Sequence, residues 1–304
     1  MHVDRLEAMS ILLHTVEKGS FTAAAKALGM PLPTVSRKVG ELEAHLGAQL
    51  LLRTTRRLSL TDAGAAYVAA SRRILDDVDE AERVVSGEYD TPRGELVLTA
   101  PVLFGRLHLL PVVADFLAAY PDITVRLSLS DRNLHLLDDR LDMAVRLGEL
   151  PDSSMIATRI GSMRTVVCAS PKLIDGHGAP KQPEDLSSLP CVSFESLSGA
   201  SSWTFRRPGG SGPVTVAVAP RLTVTTAEAA VWAATQGVGV AQVLHYHCAE
   251  AVRNGELRLL LADHEPARMP IHLIHAARGA LPLKMRSFLD FATERLRQKL
   301  NDLG

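Results

Sequence analysis

Arg37 stands in a run, Pro33-Thr34-Val35-Ser36-Arg37-Lys38, that places a guanidinium, an ammonium and two hydroxyls side by side. Those groups suit hydrogen bonding to base edges and phosphates. At 100° per residue, Pro33, Ser36, Arg37 and Gly40 share one side of a helix, flanked by Thr34 and Glu41. Val35, Val39, Leu42 and Leu46 recur at i, i+4, i+7 and i+11 and form an inward apolar stripe. A face carrying one arginine, small hydroxyls and a residue without a side chain can approach a duplex closely, as a helix lying in a major groove must. An ordinary helical hairpin with a solvated face is the competing reading. A second basic cluster follows at Arg53-Thr54-Thr55-Arg56-Arg57. Arg53 and Arg56 could reach phosphates or a narrow minor groove, although such a loop taken alone is better explained by solvation, and only its place directly behind a helix-turn-helix favours the wing.

A different chemistry, capture of a small anion, is suggested further along. Thr99-Ala100-Pro101-Val102 and Val224-Thr225-Thr226-Ala227 each join a strand to a helix, and unpaired N–H groups at helix starts bind anions. Thr225 and Glu228 also have the spacing of a capping box, a purely structural alternative. Arg146, at a strand end in LDMAVRLGEL, is the candidate partner for a carboxylate, unless it pairs with Asp142 or Glu149. Ser128, Ser130, Asp131 and Phe194 lie at other strand ends as candidate wall residues. The expected ligand is a small organic or aromatic acid. His245, His247 and Cys248 are metal-capable, but i and i+2 do not share a helix face and no second ligand pair accompanies them, so no metal is expected. GxSxG, P-loop, HExxH and Cys–His nucleophile patterns are missing from the sequence. No catalytic residue and no cofactor are therefore expected.

These groups need elements to hold them. Residues 4 to 18 have helical spacing, Gly19 ends that helix, and Ser20 can cap the next one, which starts at Phe21. Ala25, Gly29 and Val35 lie at the offsets of a helix-turn-helix. Leu50–Leu52 and Leu58–Leu60 read as strands of a β-hairpin, a wing with a basic tip. Thr61-Asp62 caps a long helix to about residue 88. Its seam of Tyr67, Ala70, Ile74, Val78, Ala81 and Val85 should pair with a second copy of itself. Composition changes near Thr91-Pro92-Arg93-Gly94. From there strands at 95–100, 123–129 and 141–146 alternate with helices at 101–119 and 133–139, which implies a mostly parallel sheet. Further strands are expected at 165–169, 191–194, 203–205, 214–218, 221–224, 238–242 and 271–275, with helices at 226–236 and 283–300.

With 304 residues, 46% of them hydrophobic, the chain can hold two or three domains. Its net charge of -1 conceals a basic stretch between Arg37 and Arg57 and an acidic one between Asp62 and Asp90. Neither a signal peptide nor an apolar run near the bilayer-spanning length of about 20 residues is expected. Cys168, Cys191 and Cys248 are read as reduced, buried thiols of a cytoplasmic protein.

The order of elements and the stretches FTAAAKALGMPLPTVSRKVGELEAHLGAQLLLRTTRRLSLTDAG, RGELVLTAPVLFGRLHLLPVVADFLAAYPDITVRLSLSD, LDMAVRLGELPDSSM and TTAEAAVWAATQGVGVAQ resemble the LysR-type transcriptional regulators over essentially the full length. The resemblance implies an α/β protein with an N-terminal winged helix-turn-helix at 1–61 and a linker and dimerisation helix at 62–90. The remainder, 91–304, would be an effector domain of two Rossmann-like subdomains similar to periplasmic binding proteins. Subdomain I would take about 91–162 and 270–304, and subdomain II about 163–269. Carried onto this chain, the DNA contacts are Pro33, Thr34, Ser36, Arg37, Lys38, Arg53 and Arg56. The effector contacts are Ala100, Pro101, Val102, Ser128, Ser130, Arg146, Phe194, Thr225 and Thr226. Many members have Gln or Ser at the position of Leu32, and Ser or Thr at that of Pro101. The implied partners are double-stranded DNA, a small-molecule effector and further copies of the chain, as dimers that pair into tetramers, with RNA polymerase among those the resemblance allows and no membrane.

Overall fold

The computed structural model describes residues 4–53, 58–86, 91–132, 136, 139, 141–151, 155–194, 202–210, 212–276 and 281–301. They form two compact units, residues 1–91 and 92–304.

In the first unit α1 (Arg5–Glu17) starts at Asp4, whose carboxylate accepts the Glu7 N–H. Ser20 caps α2 (Phe21–Leu28) through the Ala23 N–H at 3.1 Å. The turn is made at Gly29, whose φ of 63° lies in the left-handed region. A side chain there would be strained. The third helix, α3 (Leu32–Leu46), carries Pro33 in its first turn, where a missing N–H costs no hydrogen bond. Val35, Val39 and Leu42 are fully buried against Ile11 and Leu12 of α1 and Ala24 and Ala25 of α2. Burying such side chains stabilises the unit by about 1.5–3 kcal/mol each. β1 (Leu51–Arg53) and β2 (Leu58–Leu60) pair antiparallel as the wing. The Glu43 carboxylate anchors that wing by accepting the Leu50 and Leu51 N–H groups at 2.8 and 3.0 Å. Thr61 caps α4 (Asp62–Ser86) by accepting the Gly64 N–H at 2.9 Å, while its hydroxyl donates to the Gln49 carbonyl.

The seam of α4 differs from the expectation in its first turns. Tyr67, Val68 and Leu75 pack on the winged core, and Arg72 reaches Glu17 of α1 at 2.8 Å. This part of the helix has a partner within its own chain because α1 lies alongside it. Ile74 remains exposed. The side chains of Ala81 and Val85 lie outside the described residues.

The second unit holds two five-stranded sheets. Its elements are, in order, β3 (Gly94–Ala100), α5 (Val102–Phe104), a π-helical turn (Gly105–Leu109), α6 (Leu110–Ala119), β4 (Ile123–Leu129), β5 (Met143–Leu147), β6 (Met155–Met163), β7 (Thr165–Ala169) and α7 (Pro171–His177). They continue through β8 (Cys191–Phe194), β9 (Ser202–Arg206), β10 (Pro213–Ala217), β11 (Pro220–Val224), α8 (Ala227–Thr235), β12 (Val240–Leu244), α9 (His245–Arg253), β13 (Arg258–Leu260), β14 (Met269–Ala276) and α10 (Leu283–Asn301). The first sheet has the order β4-β3-β5-β14-β6 and the second β11-β8-β12-β7-β13, with β9 and β10 as a separate hairpin. The chain passes from the first sheet to the second at Arg164 and returns between Leu260 and Met269.

Neither sheet is mostly parallel. β14 runs antiparallel to β5 and β6, and β7 antiparallel to β12 and β13. Both strands adjoin the crossings, and a chain that leaves one sheet for the other lacks the helical crossover that parallel neighbours require. Phe104, Phe116, Phe288 and Leu296, from the helices on the first sheet, fill its core together with Leu96 and Leu98. The run Val102–Ala119 is, against expectation, long and apolar enough to cross a membrane by length and composition. Here Leu103, Phe104, Val112, Val113 and Phe116 from it are buried in that core. On the second sheet α8 and α9 cover one face with alanines and Val231, and Trp203, Phe205 and Leu186 cover the other. Most of the helix expected at 133–139 lies outside the described residues.

Candidate functional site

On α3 the sequence-predicted residues form one outward surface. Pro33 and Arg37 are exposed, Thr34 and Ser36 half-buried, while the valines face inward. Arg37 is oriented by Glu41 on the next turn, N to O 2.6 Å. This i,i+4 pair is exposed and weak, and it leaves most of the guanidinium open to another acceptor. Lys38 is turned toward α1, where it pairs with Glu7, so a phosphate must compete with that carboxylate. Arg53 ends β1, but its side chain and all of Arg56 lie outside the described residues.

In the second unit the carboxyl ends of two sets of parallel strands meet. β4, β3 and β5 bring Ser128, Ser130, Ala100, Pro101 and Arg146 to one sheet end. β8 and β11 bring Phe194, Thr225 and Thr226 to the other. Among the described residues, two contacts join these ends. Arg106, in the π-helical turn, reaches Glu228 in the first turn of α8 at 3.2 Å. Tyr246, in the first turn of α9, stacks edge-on to Phe104 and His108 with ring centroids 6.0 and 5.5 Å apart. Ligands of open α/β sheets bind beyond the carboxyl ends of strands, where chain directions diverge.

The anion sites are less open than the sequence suggested. The Val102 N–H at the start of α5 is taken by the Asp131 carboxylate at 2.9 Å. Thr226, not Thr225, caps α8 by accepting the Ala229 N–H. No capping box forms there, because Glu228 falls one position short of the third helical residue and turns to Arg106 instead. Arg146 is half-buried. Burial works against its charged form and the Asp139 carboxylate supports it. Asp142, its sequence-expected partner, accepts the Val97 N–H at 2.8 Å.

Sequence reasoning passed over several groups. His108 is buried, and burial, followed by the Lys299 charge, lowers its pKa to about 4. Its Nε2 has no partner among the described residues. Tyr246 is pushed above the usual phenol range by burial first, then by Asp131 and Glu228. Arg164 and Glu265 clasp the two crossings together in a bidentate pair at 2.6 and 2.9 Å. They stand 101 positions apart, a separation with no local signature. The described residues contain no cluster able to hold a metal ion.

Residues 6–65 match the bacterial regulatory helix-turn-helix protein model of the lysR family, and residues 90–297 match the LysR substrate binding domain. The chain belongs to the LysR-type transcriptional regulators. The LysR-type regulator is 36% identical over 288 residues to an HTH-type transcriptional regulator of Xanthomonas campestris, covering 94% of this chain and 84% of that one. It is 35% identical to an HTH-type transcriptional repressor of Pseudomonas aeruginosa over 96% of this chain and 92% of the other. Among solved structures it is similar to CrgA, a LysR-type transcriptional regulator from Neisseria meningitidis. That match has 32% identity and a TM-score of 0.59, and covers 95% of this chain and 98% of the other. As a LysR-type regulator the protein binds DNA and a small-molecule effector and is not an enzyme.

Proposed function

We propose that this regulator controls metabolic genes near its own, and that its effector is a small organic or aromatic acid bound between the facing carboxyl ends of the two sheets. The observation that carries this reading is the pairing of Arg106 with Glu228 across those ends, beside the half-buried Arg146. A bound acid that interacts differently with Arg106 and Arg146 in open and closed arrangements shifts the balance between them, which is what an allosteric effector requires. The ligand wall comprises Ala100, Pro101, Val102, Ser128, Ser130, Phe194, Thr225 and Thr226. No cofactor takes part.

On the DNA side, Pro33, Thr34, Ser36 and Arg37 approach the bases, while Lys38, Arg53 and Arg56 serve the backbone. The protein acts in the cytoplasm as a dimer through α4, with dimers pairing into tetramers and RNA polymerase as a further partner. Leu107, Leu110, Leu117 and Trp232 support such self-association, because their exposed apolar surfaces suit a face covered by a second copy. Calorimetry with a panel of organic acids tests the ligand site: Arg146→Ala should abolish binding of the acid that binds the native protein, and unchanged affinity would clear Arg146. Fluorescence anisotropy on the intergenic DNA beside its own gene tests the reading helix. Arg37→Ala should lose about 1–3 kcal/mol on the matched site and less on scrambled DNA. Equal losses would reduce Arg37 to a phosphate contact.

A further inference from the structure

Three nitrogen-bearing side chains of the first sheet fall on one line. Arg146 on β5 stands directly opposite His272 on β14, and His272 stands directly opposite Arg159 on β6. Residues paired in this way project to the same face, with neighbouring strands about 4.8 Å apart. That face is the one away from α10. Val145, Ile271, Leu273 and Ile160, which flank the three along their strands, are buried in the core that Phe288 and Leu296 of α10 help to fill. Alternation along a strand therefore turns Arg146, His272 and Arg159 the other way.

The members of this row are unevenly matched. Arg146 has the Asp139 carboxylate to support its charge. The Arg159 guanidinium has no hydrogen-bond or ion-pair partner among the described residues. Its backbone, by contrast, is fixed, because the Arg159 carbonyl accepts from two nitrogens of Arg297 at 2.9 and 3.3 Å. The root of the side chain is thus held while its charged head stays open. His272 is half-buried, yet its Nδ1 is closed off and meets no hydrogen-bonding group among the described residues. Leaving a buried ring nitrogen in that condition is costly, so it needs a reason. Two guanidinium groups two strands apart also repel each other unless a group of opposite sign lies between them.

We propose, on the reading that Arg146 faces the effector, that this row makes the effector a dianion. One acid group lies at Arg146. A second anionic group, carboxylate or phosphate, is held by the Arg159 guanidinium, and the His272 Nδ1–H donates to it from between the two arginines. Two strand intervals separate the arginine backbones by about 10 Å. Converging side chains shorten that gap to the span of a small dicarboxylate or a phosphorylated acid. Arg146 is the next-to-last residue of β5, so the row starts at the carboxyl end of that strand and runs across β14 toward the β6 edge. A monoacid occupies only the Arg146 end and leaves the buried His272 nitrogen unmet. A site built in this way discriminates through the groups that a wrong ligand leaves unpaired. Arg146 is the common anchor, and Arg159 and His272 determine specificity.

Isothermal calorimetry on the full-length protein tests this with probes that share a skeleton and differ in one acid group: succinate against butyrate, phthalate against benzoate, and phosphoglycolate against glycolate. A dianion should bind at least about ten-fold more tightly than its monoanion counterpart. Arg159→Gln should erase most of that preference and His272→Phe should reduce it, whereas Arg146→Ala should abolish binding of both members of a pair. The carboxylate and phosphate pairs show which second group the row takes. Equal affinity within every pair overturns the dianion, and if Arg146→Ala still abolishes binding, the cleft survives as a site for monoacids. A preference that persists undiminished in Arg159→Gln overturns the row as well. Binding by none of the probes, or binding indifferent to Arg146→Ala, overturns the row and the cleft together. Arg159 is exposed at a sheet edge, so its replacement leaves the core untouched, and the comparison in the native protein needs no variant.

Discussion

On α3 the Arg37 guanidinium is held by Glu41 four residues along the same helix, whereas in the second unit Arg106 finds Glu228 across 122 residues of sequence. The caps of α1 and α2 are local in the same way, each made by a side chain to an amide three residues on. The two-sheet unit instead relies on Arg164 with Glu265 and on Tyr246 against Phe104, contacts that exist only once both sheets are built. A surface held by local bonds loses one contact when one residue changes. A site held by distant contacts reports the relation between its parts, and that relation is what a ligand can alter.

The largest expected effect lies where the winged unit departs from this local logic. A Cβ on Gly64 would come within 2.0 Å of the Leu50 carbonyl oxygen, a backbone atom that cannot rotate away. Gly64→Ala should therefore cost about 3 kcal/mol in urea unfolding followed by circular dichroism, because α4 must part from the strand it crosses. A loss under about 1 kcal/mol would mean that helix and wing yield easily, and that this unit is local throughout.

The next largest concerns two imidazoles of the second unit. His108 and His247 have pKa values lowered from 6.5 to about 4, in both cases chiefly by burial. Below pH 6.5 the unfolded chain takes up protons that the folded chain does not accept until near pH 4. Their contribution is therefore complete above 6.5 and is lost as pH falls toward 4. Between pH 7 and pH 5 the loss should be on the order of 1–2 kcal/mol per ring. His108→Gln combined with His247→Gln should flatten the urea midpoint over that interval. An undiminished acid loss in the double variant would assign it to carboxylates.

Third comes the clasp at the crossings. Arg164 and Glu265 retain only 28% and 17% side-chain exposure, so their pair is better shielded than any on α3. Glu265→Gln should cost about 1–2 kcal/mol, with a coupling to Arg164→Met of similar size in a double-mutant cycle. Additive losses would show that the clasp contributes nothing beyond its separate halves.

What could be read from residues alone follows the same division. The stripe of Val35, Val39 and Leu42, the cap at Ser20, the Gly29 turn and the wing strands are encoded within a few neighbouring positions, and each is found in the structure, whereas Leu46, expected to continue the stripe, is exposed in the last turn of α3. The strand ends carrying Ala100, Ser130 and Phe194 were legible because apolar runs mark strands and their ends follow. β6 was not: its residues Ile156, Ala157 and Arg159 are exposed at a sheet edge, so its apolar pattern is broken. The antiparallel placement of β7 and β14 was likewise hidden, since alternation of elements does not say which sheet a strand joins. Glu228 was given to a helix cap because its spacing from Thr225 fitted one. Its partner Arg106 lies too far away in sequence for any pattern to propose it.

The smallest stability effect discriminates best between the two regions. Arg106 and Glu228 are 60% and 49% exposed, so water screens their attraction and the pair holds two long side chains at an entropic cost. Arg106→Ala should change the unfolding free energy by less than about 0.5 kcal/mol, the scale of an exposed pair on a helix. If the pair spans the effector's seat, the same substitution should change affinity for the bound acid by about five-fold, roughly 1 kcal/mol. Calorimetry beside urea unfolding separates the two quantities. Affinity that moves while stability does not would place the contact at the ligand, where charge meets charge only with the sheets brought together. Affinity and stability both unchanged would make Arg106 and Glu228 a surface pair like Arg37 and Glu41, and the contrast between a locally held surface and a relational site would then rest on Arg164, Glu265 and Tyr246 alone.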